Sequence, residues 1–262
     1  MKKLLLFVLL SGSYSSFGAW YKGNTHAHTI LSGHGDATPD EVANWYHDHG
    51  YNFLVLSEHN KFIDPTTVKI KDQREDFVLV PGVELTGAKN IHTTALNVKV
   101  AVPWKTKSNK ASQILKEHVK RIHSHGGEAI SNHPNYEWAL SVKDIFAVKE
   151  LKLFELYNGH PHVNVAGKGH RPSTEEMWDE LLSLGKKIFA VSSDDAHNFH
   201  KHSHELSNPG RGWIMVESDS LAAESLVKAM TDANFYASNG VMLTNVKRGS
   251  TYQIEIDLER TM

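Results

Sequence analysis

Phe53-Leu54-Val55-Leu56-Ser57-Glu58-His59 decides how this chain is read. Four apolar residues without a polar interruption read as a strand buried on both faces, the pattern of a parallel sheet. The run ends in a glutamate and a histidine, and the same grammar recurs. Phe77-Val78-Leu79-Val80 leads into Pro81-Gly82-Val83-Glu84, Ala129-Ile130 leads to His133, and Ile188-Phe189-Ala190-Val191 leads to Asp195 and His197. In barrel-like α/β folds, chemistry collects at the C-terminal ends of such strands. Residues far apart in sequence are therefore expected to converge on one rim.

Working outward, strands are expected at 23–30, 53–57, 77–80, 91–98, 128–131, 152–157, 188–192, 213–217 and 252–258. Helices are expected at 39–49, 112–125, 142–149, 173–184 and 220–231. Pro39 suits an early helical position and Gly50 a stop. Ser173 with Glu176 three residues on makes a capping box. Strands alternating with helices imply parallel βα units in an α/β fold. No internal repeat or Pro/Ser linker interrupts them, so 19–262 is read as one domain. The loop 159–172 is long, polar and rich in Gly and His, and is expected to lie over the rim.

The start of the chain reads differently. Met1-Lys2-Lys3 is basic, Leu4 to Leu10 is apolar, and Ser11 to Ala19 is small and polar. This is the pattern of a secretory signal peptide over residues 1–18, with cleavage after Gly18 or, alternatively, Ala19. The apolar run is far shorter than the ~20 residues needed to span a bilayer. A periplasmic or secreted protein with no membrane anchor after cleavage is expected. The net charge of −2 comes from 28 Lys and Arg against 30 Asp and Glu; losing Lys2 and Lys3 makes it 26 against 30, or −4. No long basic block is present, which argues against a long nucleic acid as partner. With 40% hydrophobic and 22% charged residues, the composition is globular. There are no cysteines, so any metal must be held by imidazole and carboxylate, ligands that suit zinc, manganese or iron.

The chain holds 18 histidines. His26 and His28 stand two apart, which on a strand puts both on one face, the spacing that chelates one ion. Asp195 and His197 repeat it. Glu84 has two oxygens and can bridge two ions. His34, His59, His92 and His133 complete the set. His200, His202 and His204 read as a solvated loop, and His47, His49, His118, His123 and His125 as surface residues in or beside helices.

Together these residues resemble the PHP (polymerase and histidinol phosphatase) superfamily of metal-dependent phosphoesterases. Gly23-Asn24-Thr25-His26-Ala27-His28-Thr29 is similar to the first motif of that family, and Leu56-Ser57-Glu58-His59-Asn60 to the second. Pro81-Gly82-Val83-Glu84 is similar to its glutamate motif, Asn132-His133-Pro134 to its His-Pro motif, and Ser193-Asp194-Asp195-Ala196-His197 to its closing Asp-x-His. The likeness runs from about Trp20 to about Gly240. It implies a distorted (β/α)7, TIM-like barrel with up to three divalent metals (zinc, manganese or iron) at the C-terminal strand ends. Two positions depart from the pattern. Glu58 stands where the family has Asp before the histidine, and Ser32-Gly33-His34-Gly35-Asp36 replaces Ser-Asp-Gly. Aligning on Gly-Asp and Pro39 favours His34 as the loop ligand, with Asp36 the alternative.

The resemblance implies one metal held by His26, His28, Glu84 and Asp195, a second by Glu84, His92 and His133, and a third by His34, His59 and His197. It implies a metal-bound hydroxide as nucleophile and a small phosphate ester as substrate, with no side-chain nucleophile. Glu58, Glu155 and Asp194 are candidates for orienting the ligands, and Arg171, Arg211 and Lys61 for binding a substrate anion. Two other readings compete: a metal-dependent hydrolase of a carboxylic or carbamic ester or an amide, and a non-catalytic metal-binding protein.

Overall fold

A computed structural model describes residues 18–72, 75–247, 251 and 253–261. The proposed signal peptide lies almost entirely outside these. The Phe53 run is a strand with all four residues buried. In chain order the elements are β1 (Ala19–Ala27), α1 (Pro39–Asp48), β2 (Phe53–Leu56), β3 (Val78–Leu79), β4 (Gly82–Thr86), β5 (His92–Leu96), α2 (Ala111–Ser124) and β6 (Glu128–Ser131). There follow α3 (Val142–Phe146), β7 (Leu153–Asn158), α4 (Thr174–Ser183), β8 (Phe189–Ser193), β9 (Trp213–Ser218), α5 (Ala223–Thr231), β10 (Phe235–Ser238), β11 (Leu243–Lys247) and β12 (Gln253–Ile256). Local sequence explains the helix starts. Thr38 and Glu41 cap α1 reciprocally with Pro39 in the first turn, and Ser173 and Glu176 cap α4 in the same way.

The expected closed barrel is not formed. Ten of the strands make two five-stranded mixed sheets, in the orders β10-β9-β1-β2-β3 and β4-β5-β6-β7-β8, and β11 and β12 make a separate hairpin. Pairing stops between β3 and β4, where the chain passes from one sheet to the other through Pro81, which has no N–H to give a ladder. At each seam one isolated parallel bridge remains, His59 with Glu84 and Ala27 with Ala196. Both lie at the histidine-bearing ends. Nor are all the units parallel. β4 to β5 and β5 to β6 are antiparallel, as are β1 with β9 and β9 with β10. The short connection from Thr86 to His92 cannot hold the dozen or more residues of a parallel crossover.

Side chains from both sheets meet in one interior: Phe53, Val55, Leu96, Ile130, Leu153, Val191 and Ile214, closed below by Leu226 and Met230 of α5. Gly23 is required here, because a Cβ would stand 2.0 Å from the Phe53 ring. A second cluster packs α1 on β1 and β2, and a third packs α2, α3 and α4 on the other sheet. Among the described residues, no helix is long and apolar enough to cross a membrane.

Candidate metal centre

The bridged seams bring the strand ends together, and with them the nine residues singled out in the sequence. His26 lies in β1 and His28 just past it. His59 follows β2, Glu84 sits within β4, His92 opens β5, His133 follows β6, and Asp195 and His197 follow β8. Glu84 was expected just beyond a strand; it lies in the middle of one, because a hairpin there is joined to β5. The backbone of Asp195 is left-handed, with φ at 50°, and its side chain turns into the cluster.

Two carboxylates form the centre. Glu84 Oε1 stands 3.2 Å from His26 Nε2, 3.2 Å from His92 Nδ1 and 3.4 Å from His133 Nε2. Glu84 Oε2 lies 2.6 Å from His59 Nδ1 and 3.7 Å from His28 Nε2. Asp195 Oδ1 is 3.2 Å from both His26 Nε2 and His28 Nε2, and its Oδ2 is 3.8 Å from His133 Nε2. The two Nε2 atoms of His26 and His28 are 3.1 Å apart. Burial favours the neutral form of Glu84, but His92, His26 and His59 hold it well below the usual carboxylate range. Burial likewise opposes a charge on His26, and the carboxylates of Asp195, Glu155 and Glu84 outweigh it, raising its pKa well above normal. His197 goes the other way: burial, with His28 beside it, brings its pKa down to about 2, so it is neutral and free to ligate.

A second ring of groups aims these side chains. Glu155 Oε1 accepts from His26 Nδ1 at 2.9 Å and from Ser193 Oγ, while its Oε2 accepts from the amide of His133 at 2.6 Å. Glu58 accepts from the Thr29 amide at 3.0 Å and lies 3.4 Å from His28 Nδ1. Carboxylates on Nδ1 fix the tautomer and turn Nε2 inward. Asn132, which the sequence reading quoted but did not single out, donates to Glu84 Oε1 at 2.7 Å.

His34 and Asp36 part company. The His34 ring stacks on His197 at 4.5 Å and on His59 at 5.3 Å between centroids. Asp36 instead accepts from the amides of Phe199 at 2.8 Å and His200 at 3.3 Å. Its carboxylate holds the 197–200 loop.

The donor atoms fit divalent ions. Four groups bring one ligand atom from each member within 4.8 Å of one another: His28, His59 and His197; His26, His28 and Glu84; His59, Glu84 and His92; His26, His133 and Glu155. Glu84 Oε2, His92 Nδ1, His133 Nδ1 and His197 Nε2 are buried without a hydrogen bond. The close His59 contact to Glu84 Oε2 lacks hydrogen-bond geometry. Unpaired buried lone pairs are costly in a fold and are relieved by a cation. The donor set is imidazole and carboxylate throughout, the chemistry of a hard or borderline divalent ion.

Above the cluster opens a cavity of 380 Å3, lined by His34, His59, His92, His133, Asp195 and His197 and completed by Thr86, Asn90, Tyr136, His160 and Val163. His160 and Val163 belong to the 159–172 loop expected over the rim, though neither was singled out; Thr86, Asn90 and Tyr136 were missed. His160 had the same signal as its neighbours, a polar residue just past a strand end, but no partner motif. The cations sit elsewhere. Arg211 is engaged with the carbonyls of Gly159 and Ser203 and with Asn208, Arg171 lies over the Trp138 ring, and Lys61 donates to the Leu31 carbonyl. Asp194 accepts five hydrogen bonds, one of them from Asn24, whose Oδ1 accepts the amide of His26. His200, His202 and His204 are exposed. His47 and His118, expected at the surface, are buried.

No family model matches the sequence, and no curated protein matches it. The fold does have solved counterparts. A two-domain protein from Bacteroides vulgatus, containing a predicted PHP-like metal-dependent phosphoesterase, is 14% identical over 88% of this chain and 73% of its own, with a TM-score of 0.58. PsfC from Pseudomonas syringae is 12% identical over 84% and 90%, with a TM-score of 0.52. An amidohydrolase from Chromobacterium violaceum, with sulfate bound and no metal, is 13% identical over 82% and 97%, with a TM-score of 0.50. At such identity it is the fold alone that is shared with these three proteins.

Proposed function

We propose that the chain is a metal-dependent hydrolase, and that it cleaves a small phosphate ester. The observation that carries this is the set of buried imidazole and carboxylate atoms without hydrogen bonds, clustered beside one open cavity. Divalent ions held there would supply activated water and the positive charge that a phosphoryl group needs. His26, His28, Glu84 and Asp195 would hold one ion, Glu84, His92 and His133 a second, and His34, His59 and His197 a third, with zinc, manganese and iron the candidates. The chain's own groups do the rest. Glu155 and Glu58 hold His26 and His28 in register, and Asn132 holds Glu84. Tyr136 and Val163 complete the cavity wall. A cavity of this size suits a small molecule. The Lys-Lys-Leu start supports a location outside the cytoplasm.

The amidohydrolase with the same fold favours one second reading, hydrolysis of a carboxylic or carbamic ester or an amide, since activated water attacks carbonyls as well. Metal analysis of purified protein, followed by a panel of phosphate and carboxylate esters, separates the two. The expected result is two to three equivalents of metal, turnover of phosphate esters, and loss of both on chelation. Less than one equivalent after reloading removes the metal-centre reading; turnover of carboxylic or carbamic substrates alone selects the second one. N-terminal sequencing that finds Met1 retained on cytoplasmic protein removes the export reading.

A further inference from the structure

A phosphate ester brings negative charge, yet the cavity is lined by neither lysine nor arginine among the described residues. The three cations nearest to candidacy are spent on backbone carbonyls or on Trp138. Any contact to the phosphoryl oxygens beyond the ions must come from a neutral donor. Four wall residues with donors stand outside the metal-ligand set: Thr86, Asn90, Tyr136 and His160. Thr86 Oγ1 is engaged with His59 Nδ1 at 2.7 Å. Asn90 and Tyr136 flank the side of His92 and His133.

His160 is placed differently. It follows β7 at the start of the 159–172 loop, half-buried, with its ring edge-on to His197 at 5.7 Å and 84°. Its Nδ1 accepts the amide N–H of His162 at 3.2 Å, and its own amide donates to Asn158 Oδ1 at 2.8 Å. An imidazole whose Nδ1 accepts carries its proton on Nε2. The ring is therefore a neutral donor in a fixed tautomer, anchored at both its amide and its Nδ1. Asn158, which holds that amide, also donates to Glu155 and Asp195, so the donor is tied to the same frame as the candidate ligands.

We propose that His160 hydrogen-bonds the phosphoryl group of the substrate through Nε2–H, filling the place that a lysine or arginine takes in other phosphate sites. This rests on the phosphoesterase reading above. A hydrogen bond to a charged oxygen corresponds to about a tenfold to hundredfold change in affinity. The test uses inorganic phosphate titrated calorimetrically into the metal-loaded full chain, with metal content measured on the same samples. His160→Ala is expected to weaken phosphate about tenfold or more at unchanged metal content. His160→Gln, whose amide reaches the position of Nε2, is expected to recover most of that loss. Phosphate bound by His160→Ala as by the unaltered protein overturns the assignment. So does loss of a metal equivalent in His160→Ala, which would make the ring a ligand, and so does a Gln variant as weak as the Ala one. Unaltered protein that loads metal but binds no phosphate removes the phosphoesterase reading itself, and this assignment with it.

Discussion

Asp194 and Asp195 are neighbours in sequence, both buried, and opposite in chemistry. Asp194 is saturated. Its Oδ2 accepts from Asn24 Nδ2 at 2.7 Å, Tyr46 OH at 2.7 Å and the Gly210 amide at 2.9 Å; its Oδ1 accepts from the amides of Arg211 at 2.6 Å and Gly212 at 2.8 Å. Burial pushes its pKa up to about 6 against the pull of these donors, which leaves it ionised at neutral pH. Asp195 receives a single side-chain amide hydrogen bond, from Asn158 at 3.2 Å, and otherwise faces imidazole nitrogens. Burial also opposes its charge, but His26, His28, His197 and His133 hold it well below the usual range. A carboxylate whose lone pairs are filled by N–H and O–H groups is a structural tie. One that faces lone-pair donors is incomplete without a cation. The distinction lies in the partners and not in the burial, since both side chains are nearly fully enclosed.

The largest expected effect breaks the incomplete side. Asp195→Ala removes a carboxylate shared by His26 and His28 and should cut the hydrolytic rate at least about a hundredfold, with loss of bound metal and retention of the fold. His26→Ala should do the same. Circular dichroism and metal analysis read the two parts separately; a variant that keeps its full metal complement and its rate removes Asp195 from the centre.

The saturated side should fail in stability. Asp194→Asn keeps the shape but turns an amide N–H2 toward donors, and each charge-assisted bond lost at a buried site counts for roughly 1.5–3 kcal/mol. A destabilisation of about 3 kcal/mol is expected, a fall of roughly 10 °C in Tm for a domain of this size. Metal content at permissive temperature should stay near normal. Metal loss without a change in Tm would mean that Asp194 acts on the centre after all.

His118 carries the comparison to a third buried group. Its ring is saturated in the neutral form, with Thr93 Oγ1 3.1 Å from Nδ1 and the Trp104 carbonyl 3.1 Å from Nε2. Burial lowers its pKa from 6.5 to about 4. The unfolded chain therefore binds a proton that the folded chain refuses between these values. The stabilisation is full above about pH 6.5 and is lost as pH falls through about 4. By pH 4.5 the loss attributable to this one ring is roughly 2 kcal/mol. Urea unfolding of metal-free protein at pH 7 and pH 4.5 should show His118→Gln losing less stability on acidification than the unaltered chain. Equal losses would place the acid sensitivity elsewhere.

What was readable in the sequence follows the same physics. Strand-end histidines and capping boxes are local patterns, and the Phe53 run, the Ser173 cap and the His-x-His pair stand in the structure where local chemistry puts them. Barrel closure is not local. It depends on which edges pair, and Pro81 with the short 86–92 connection sent the chain into two sheets joined by single bridges. β4 was read as a tail after 77–80, and β10 and β11 were not read as strands, because each is short and partly polar. His118 was misplaced for an avoidable reason: Ile114, Leu115, His118, Val119 and Ile122 share one face of α2, and helical spacing carries a histidine inward as readily as a leucine. Tyr136, Asn90 and Val163 enter the cavity through loop geometry, for which the sequence offers no period.

The smallest effect separates two residues of one loop. His34 and Asp36 both follow β1, and either fits the ligand position by alignment alone. Only His34 faces the centre, stacked between His197 and His59 and lining the cavity. It is also the most exposed of the nine, and burial with the nearby His59 lowers its pKa, so it is neutral and able to ligate near pH 7. Its loss leaves His59 and His197 only the shared His28 to complete a three-ligand set. His34→Ala should therefore lose up to one metal equivalent and about tenfold in rate. Asp36→Ala should keep its metal. Its two amide partners, Phe199 and His200, lie just after His197, so the variant should loosen that loop and cost about 1 kcal/mol of stability. Metal content, rate and Tm on both variants decide the matter. If Asp36→Ala strips an ion and His34→Ala does not, the loop must rearrange on metal binding to exchange one residue for the other, and the stacking of His34 on His197 belongs to the metal-free arrangement alone.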